Sequence, residues 1–137
     1  ISNKKININS FKGAYTIFRS SKVNHITIIA TGSEVSLAIE VANRLKEFKV
    51  ETNVVSMPSS SLFDKQKNSF KNKLLQSKLS QIFVIEAGST MYWNKYTNQE
   101  NILGTDEFGA SAPAKDVFNK YGLTPKRISS TIRKRIK

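Results

Sequence analysis

Glu86 closes the apolar run Ile82-Phe83-Val84-Ile85, and a carboxylate in that place invites a chemical explanation. Burying a charge is costly unless it finds a partner. Glu86 is therefore read either as a general acid or base with a raised pKa, or as a group that caps a helix or pairs across a subunit interface. No second catalytic group lies near it in the sequence, which favours the structural or interface role. Ser111 stands before a proposed helix start, where exposed amides could receive an anion; a simple helix cap accounts for it equally well and more commonly. Tyr92, Trp93, Tyr96 and Phe108 form an aromatic set with the composition of a stacking platform. No single-strand-binding pattern accompanies them, so an interface or core packing is the preferred reading. The loop Thr31-Gly32-Ser33-Glu34 has one glycine rather than the three of a dinucleotide fingerprint, and no phosphate-loop lysine follows it. Helix capping explains each of its residues.

The residue inventory narrows the chemistry further. There is no cysteine, which removes disulfides, thiolate metal sites and cysteine nucleophiles. One histidine, His25, leaves no imidazole cluster, and a serine–histidine relay would have to use it. The formal net charge of +12 would suit nucleic acid, an anionic membrane or phosphorylated substrates. The cations are scattered along the chain, mostly Lys, and accompany abundant Asn and Ile, which points to amino-acid usage rather than to a binding face. Arg127, Arg133, Lys134, Arg135 and Lys137 do crowd at the end, where they complement the negative end of a helix dipole. Neither nucleic acid nor a membrane is an expected partner.

The elements that must hold these residues follow from patterning. With 137 residues, one core is expected. The first eleven residues read as a polar linker, and the domain as 12–137. Tyr15-Thr16-Ile17-Phe18 has strand character, and Ile26-Thr27-Ile28-Ile29-Ala30 reads as a strand covered on both faces. Val35, Ala38, Ile39, Ala42, Leu45 and Phe48 recur at helical spacing and define one buried face. Glu51 to Val55 supplies the next strand, so that a right-handed crossover and parallel pairing are expected. Met57-Pro58 opens a serine-rich loop, Phe63 begins a short helix, and a polar amphipathic segment runs to Leu79. Further expected elements are a strand at Ile82–Ile85, an aromatic helix from Met91 to Tyr96, a short strand at Ile102–Gly104, a helix from Pro113 to Lys120, and a last helix from Thr124-Pro125 carrying Ile128, Ile132 and Ile136. Strands alternating with helices describe a three-layer α/β/α domain with a mainly parallel sheet. Ligands in such sheets sit at the carboxyl ends of strands, here the loops starting at Thr31, Met57 and Glu86.

Several stretches in this order resemble the C-terminal third of transketolases. They are Lys12-Gly13-Ala14-Tyr15, Ile29-Ala30-Thr31-Gly32-Ser33-Glu34-Val35, Val54-Val55-Ser56-Met57-Pro58-Ser59 and Leu62-Phe63-Asp64-Lys65-Gln66. After them come Ile85-Glu86-Ala87-Gly88, Trp93-Asn94-Lys95-Tyr96, Phe108-Gly109-Ala110-Ser111-Ala112-Pro113-Ala114 and Lys120-Tyr121-Gly122-Leu123-Thr124. The resemblance runs from about Gly13 to the C-terminus. Thr97-Asn98-Gln99 and Ser59-Ser60-Ser61 depart from the family's spelling, both in expected loops.

The resemblance implies a five-stranded, mostly parallel sheet with one antiparallel edge strand. It implies a parent enzyme that moves a two-carbon ketol unit from a ketose phosphate, such as xylulose 5-phosphate, to an aldose phosphate, such as ribose 5-phosphate, in the pentose phosphate pathway. Thiamine diphosphate and a divalent cation (Mg or Ca) would be held by the N-terminal and middle domains, with the site shared across a cytoplasmic homodimer. This segment would then carry no catalytic, cofactor-binding or metal-binding residue, would be inactive alone, and would support domain packing and dimer assembly. The absence of an initiator Met suits an excised piece. A dihydroxyacetone synthase-type relative and a free-standing anion-binding α/β module are the competing expectations.

Overall fold

The computed structural model describes residues 12–20, 25–32, 34–75, 81–86, 95–98, 101–104 and 124–136. Five strands form a single sheet: β1 (Tyr15–Arg19), β2 (Ile26–Ala30), β3 (Thr52–Ser56), β4 (Ile82–Glu86) and β5 (Ile102–Gly104). Their order is β1-β3-β2-β4-β5. β2 pairs in parallel with β3 and with β4, and β4 with β5, while β1 lies antiparallel on β3 at the edge. The sheet has the mixed, five-stranded character that the resemblance implies.

Four described helices cover its faces: α1 (Glu34–Glu47), α2 (Ser60–Asp64), α3 (Asn68–Leu75) and α4 (Pro125–Arg135). The period-2 alternation of β2 divides its side chains between two layers. Ile26, Ile28 and Ala30 join Val54, Phe83 and Ile85 beneath α1 and α4, where Ala38, Val41, Ala42, Leu45, Ile128 and Ile132 meet them. Ile29 joins Val55, Ile82 and Val84 on the other side, with Met57, Phe63 and Tyr96, and Phe70 and Leu74 pack against that cluster. The middle strands are thus buried on both faces, which explains their nearly unbroken apolar spelling.

Local chemistry sets the ends of the helices. Thr124 caps α4 by accepting a hydrogen bond from the Arg127 amide at 3.3 Å, and Pro125 occupies the first turn, where no amide donor is needed. Ser59 caps α2 in the same way through the Leu62 amide. α2 therefore starts at Ser60, three residues before the position the apolar pattern suggested, because a hydroxyl cap and not the first apolar residue fixes the start. α1 ends in a Schellman turn: Lys49 donates to Lys46 O at 2.9 Å and Val50 to Leu45 O at 3.0 Å, with Lys49 at φ 63°.

Phe48 departs from the expected buried stripe of α1. It is 51% exposed, and the Arg133 guanidinium lies 3.6 Å from its ring centroid. The chain has left the helix by Phe48, so the helical spacing no longer aims its side chain at the core. The expected helix at Met91–Tyr96 departs as well at its far end, since Lys95 to Thr97 forms a turn. The expected helix from Pro113 to Lys120 lies outside the described residues.

Candidate functional site

β2 feeds a helix that leads to β3 on one side, and the chain then crosses to β4 on the other side of β2. The connections leaving the carboxyl ends of β2 and β4 therefore run apart, and a crevice opens between them. An open cleft of about 360 Å³ occupies this place. Thr31 lines it from the end of β2, the run Met57–Ser61 from the end of β3, and Glu86 from the end of β4. The residues that begin the three loops singled out in the sequence thus border one cavity.

The cleft has a fixed wall. The Met57 amide donates to Ala30 O at 3.0 Å, and the Ser59 amide to Gly13 O at 3.0 Å. The Ser59 hydroxyl oxygen takes the Leu62 amide and lies 3.5 Å from the Ser61 hydroxyl. Gly13, at φ +94°, lets this happen: a Cβ there would lie 2.3 Å from Ser59 O and 2.4 Å from Phe63 N. Gly32, at φ +53°, turns the chain between β2 and α1. Glu34 follows in the first helical turn and is 7% exposed, where its charge complements the helix dipole.

Of the other sequence-predicted groups, Glu86 is half-buried on the cleft. Tyr96 is 6% exposed and belongs to the chain's own core, so in this chain it presents almost no surface to a partner. Tyr92, Trp93, Phe108 and Ser111 lie outside the described residues. His25 is far from the cleft along the strands: it precedes β2, and its Nδ1 accepts the Glu51 amide at 3.0 Å. That bond places the one imidazole at the amino ends of the parallel strands, opposite the cleft.

A second polar constellation escaped the sequence reading. Asp64, at the end of α2, accepts from the Tyr96 hydroxyl and from Lys95 Nζ, both at 2.5 Å. Burial works to raise the Asp64 pKa, but the hydrogen bonds of Lys95 and Tyr96, with the charges of Lys95 and Lys71, outweigh it and hold the carboxyl below its ordinary 3.8. The group ties α2 to the turn at Lys95–Thr97. The signal available beforehand was only that Leu62-Phe63-Asp64-Lys65-Gln66 and Trp93-Asn94-Lys95-Tyr96 each stood out as motifs.

The geometry of the described residues does not build a divalent-cation site. No group of three or more His, Cys, Asp or Glu comes together among them, whereas Mg²⁺ or Ca²⁺ needs several oxygen ligands. These residues do not fit a metal-anchored diphosphate cofactor, and no catalytic step is derived through one. No described helix is long and apolar enough to cross a membrane.

Comparison with known proteins decides the family. The model of the transketolase-like TK C-terminal domain matches residues 13–124. The chain belongs to the transketolase C-terminal domain family. It is 40% identical to the transketolase of Bacillus subtilis over 124 residues, which covers 89% of this chain and 19% of that protein. A probable transketolase of Streptococcus pneumoniae is 38% identical over 123 residues, again 89% of this chain and 19% of the relative. Among solved structures, the Pichia stipitis transketolase in complex with sedoheptulose-7-phosphate superposes with a TM-score of 0.77 at 35% identity, over 91% of this chain and 18% of that one. The Campylobacter jejuni transketolase gives 0.76 at 33% identity, over 90% and 18%. The transketolase C-terminal domain described here thus spans about a fifth of the length of the curated relatives it matches.

Proposed function

We propose that this domain is the non-catalytic C-terminal part of a transketolase and serves domain packing and dimer assembly. The whole enzyme would transfer a two-carbon ketol unit between a ketose phosphate and an aldose phosphate, in the pentose phosphate pathway of the cytoplasm. Thiamine diphosphate and Mg²⁺ or Ca²⁺ would be held by the N-terminal and middle domains of a homodimer. The observation that carries this reading is coverage: nearly the whole chain aligns with transketolases, yet it accounts for 19% of their length. The lack of a cation-binding set among the described residues supports placing the cofactor elsewhere. The protein's contribution to cofactor chemistry is then positioning, and this domain acts on it through assembly.

The test compares the whole polypeptide with a version truncated before Gly13. Ketol transfer is assayed with thiamine diphosphate and Mg²⁺, and mass is measured by light scattering. The expected result is an active dimer for the whole polypeptide, and loss of dimer and of activity together after truncation. Absence of ketol transfer in the whole polypeptide would sink the enzymatic reading. An intact, active truncated dimer would sink the assembly role.

A further inference from the structure

We propose that the end of the domain where α1 and α4 both terminate is a binding surface for single-stranded nucleic acid. Along the chain the cations are scattered, but the fold gathers six of them. α1 packs along α4, and the Arg133 guanidinium on the Phe48 ring brings their C-terminal ends together. Arg44 and Lys46 come from the last turn of α1, and Lys49 from the turn that closes it. Arg133, Lys134 and Arg135 come from the last turn of α4. All but the half-buried Arg133 are exposed. The residues after α1 lead into β3, so this surface lies at the amino ends of the parallel strands, away from the cleft.

Compensation of the helix dipoles does not account for so much charge. Each helix C-terminus carries roughly half a negative unit, about one for the two ends together. Glu47 and Glu51 are the acidic residues beside it in the chain. Six cations against these leave a surplus of about three positive units, enough to attract a polyanion.

The aromatic group then selects the polyanion. Phe48 is the exposed large apolar side chain among the described residues. The Arg133 Cζ lies 3.6 Å from its ring centroid, a stacking distance, and Arg133 Nε is buried without a partner among the described residues. The ring rather than a carboxylate therefore holds the guanidinium. Unpaired bases stack on aromatic rings and on guanidinium planes, with neighbouring cations on the phosphates. An acidic peptide would use the charges but leave the ring and its stacked guanidinium without a planar partner.

The test uses the whole polypeptide that contains this chain. A fluorescent oligouridylate of about twelve nucleotides is titrated and read by anisotropy. Polyglutamate, phosphatidylserine vesicles and an RNA duplex of the same length serve as alternatives. The expected outcome is saturable binding of the single strand that weakens roughly 20-fold from about 50 to about 200 mM salt, as about three phosphate contacts require. Phe48→Ala should weaken binding about tenfold through lost stacking. Arg44→Gln with Lys134→Gln should lower the slope of log affinity against log salt by about 1.4. Lys65→Glu with Lys67→Glu, at exposed positions by α2 and α3, should weaken it far less. The urea midpoint of each variant confirms that the fold is retained. Absence of binding would overturn the proposal, as would equal or tighter binding of the duplex, polyglutamate or vesicles. So would unchanged affinity in Phe48→Ala, or an equal loss in the Lys65 and Lys67 variant, which would mean diffuse charge attraction. Ketol transfer is not read, so either outcome leaves the assembly role to its own test.

Discussion

Beneath α1 and α4 the sheet meets its helices through aliphatic side chains and Phe83, while beneath α2 and α3 the same strands supply both an apolar cluster and a set of polar clamps. On the first face, Leu45, Ile128 and Ile132 pack at essentially zero exposure, and burial alone gives each about 1.5–3 kcal/mol. On the second face, Thr27 and Asn53 stand side by side in register on β2 and β3. The Asn53 side-chain amide donates to Leu74 O at 3.0 Å, and the Thr27 hydroxyl donates to Leu75 O. The final carbonyls of a helix lack partners within it, so two buried strand residues complete α3. The Thr97 hydroxyl bonds Ile82 O, and Asp64 joins Lys95 and Tyr96. The difference teaches that a long helix with an apolar stripe docks by area, whereas short helices need specific polar partners. α2 and α3 have five and eight residues against the fourteen of α1, and isolated helices that short are marginal in water.

If that contrast is right, deletions on the first face should cost by volume. Leu45→Ala should destabilise by about 2–5 kcal/mol, read as a lower urea midpoint at unchanged slope. On the second face, Gly13→Ala should cost at least about 1–3 kcal/mol through backbone strain and the clash with Ser59 O. Its effect should be concentrated in α2, visible as faster amide exchange of Leu62 and Phe63. Asn53→Ala strands Leu74 O without a partner and should cost about 1–3 kcal/mol, with loss of exchange protection in α3 but not in α1. A uniform loss across both helices would break the distinction between the faces.

The smaller effects sharpen it. The folded Asp64 pKa lies below 3.8, so its contribution to stability is present above the unfolded value and is lost as pH falls through the folded one. The pair is partly exposed, with side chains at 34% for Asp64 and 45% for Lys95, which limits the gain to about 1 kcal/mol or less. Asp64→Asn should therefore be less stable than the parent at neutral pH and converge with it below 3.8 in acid titrations of the urea midpoint. Lys49→Gly, at the left-handed position ending α1, should raise stability by roughly 0.5–1 kcal/mol.

Much of this was legible beforehand. The unbroken apolar spelling of Ile26–Ala30 and Ile82–Ile85 announced strands buried on both sides, and Thr124-Pro125 announced a capped helix, because these signals are local. Glu86 stood out as a carboxylate at the end of an apolar strand, and the residues that begin the loops after three strands do border one cleft. Phe48 was misread because helical periodicity was extended into the Schellman turn, which a lysine rather than the usual glycine makes at Lys49.

By itself, then, the sequence determined the family, the three-layer α/β class and the positions of its main strands and helices. Those properties reside in residues close together in the chain, in periodicity and in spelled motifs. The tertiary structure alone decided which distant polar groups meet. Nothing in the spacing of Thr27, Asn53 and Leu74, or of Asp64 and Tyr96, predicts their bonds, since strand register and helix docking bring them together. It also decided that Thr31, the Met57–Ser61 wall and Glu86 share one cleft. The physical reason is that local preferences are set by neighbours along the chain, while a site is set by the closing of loops whose ends the sheet brings side by side.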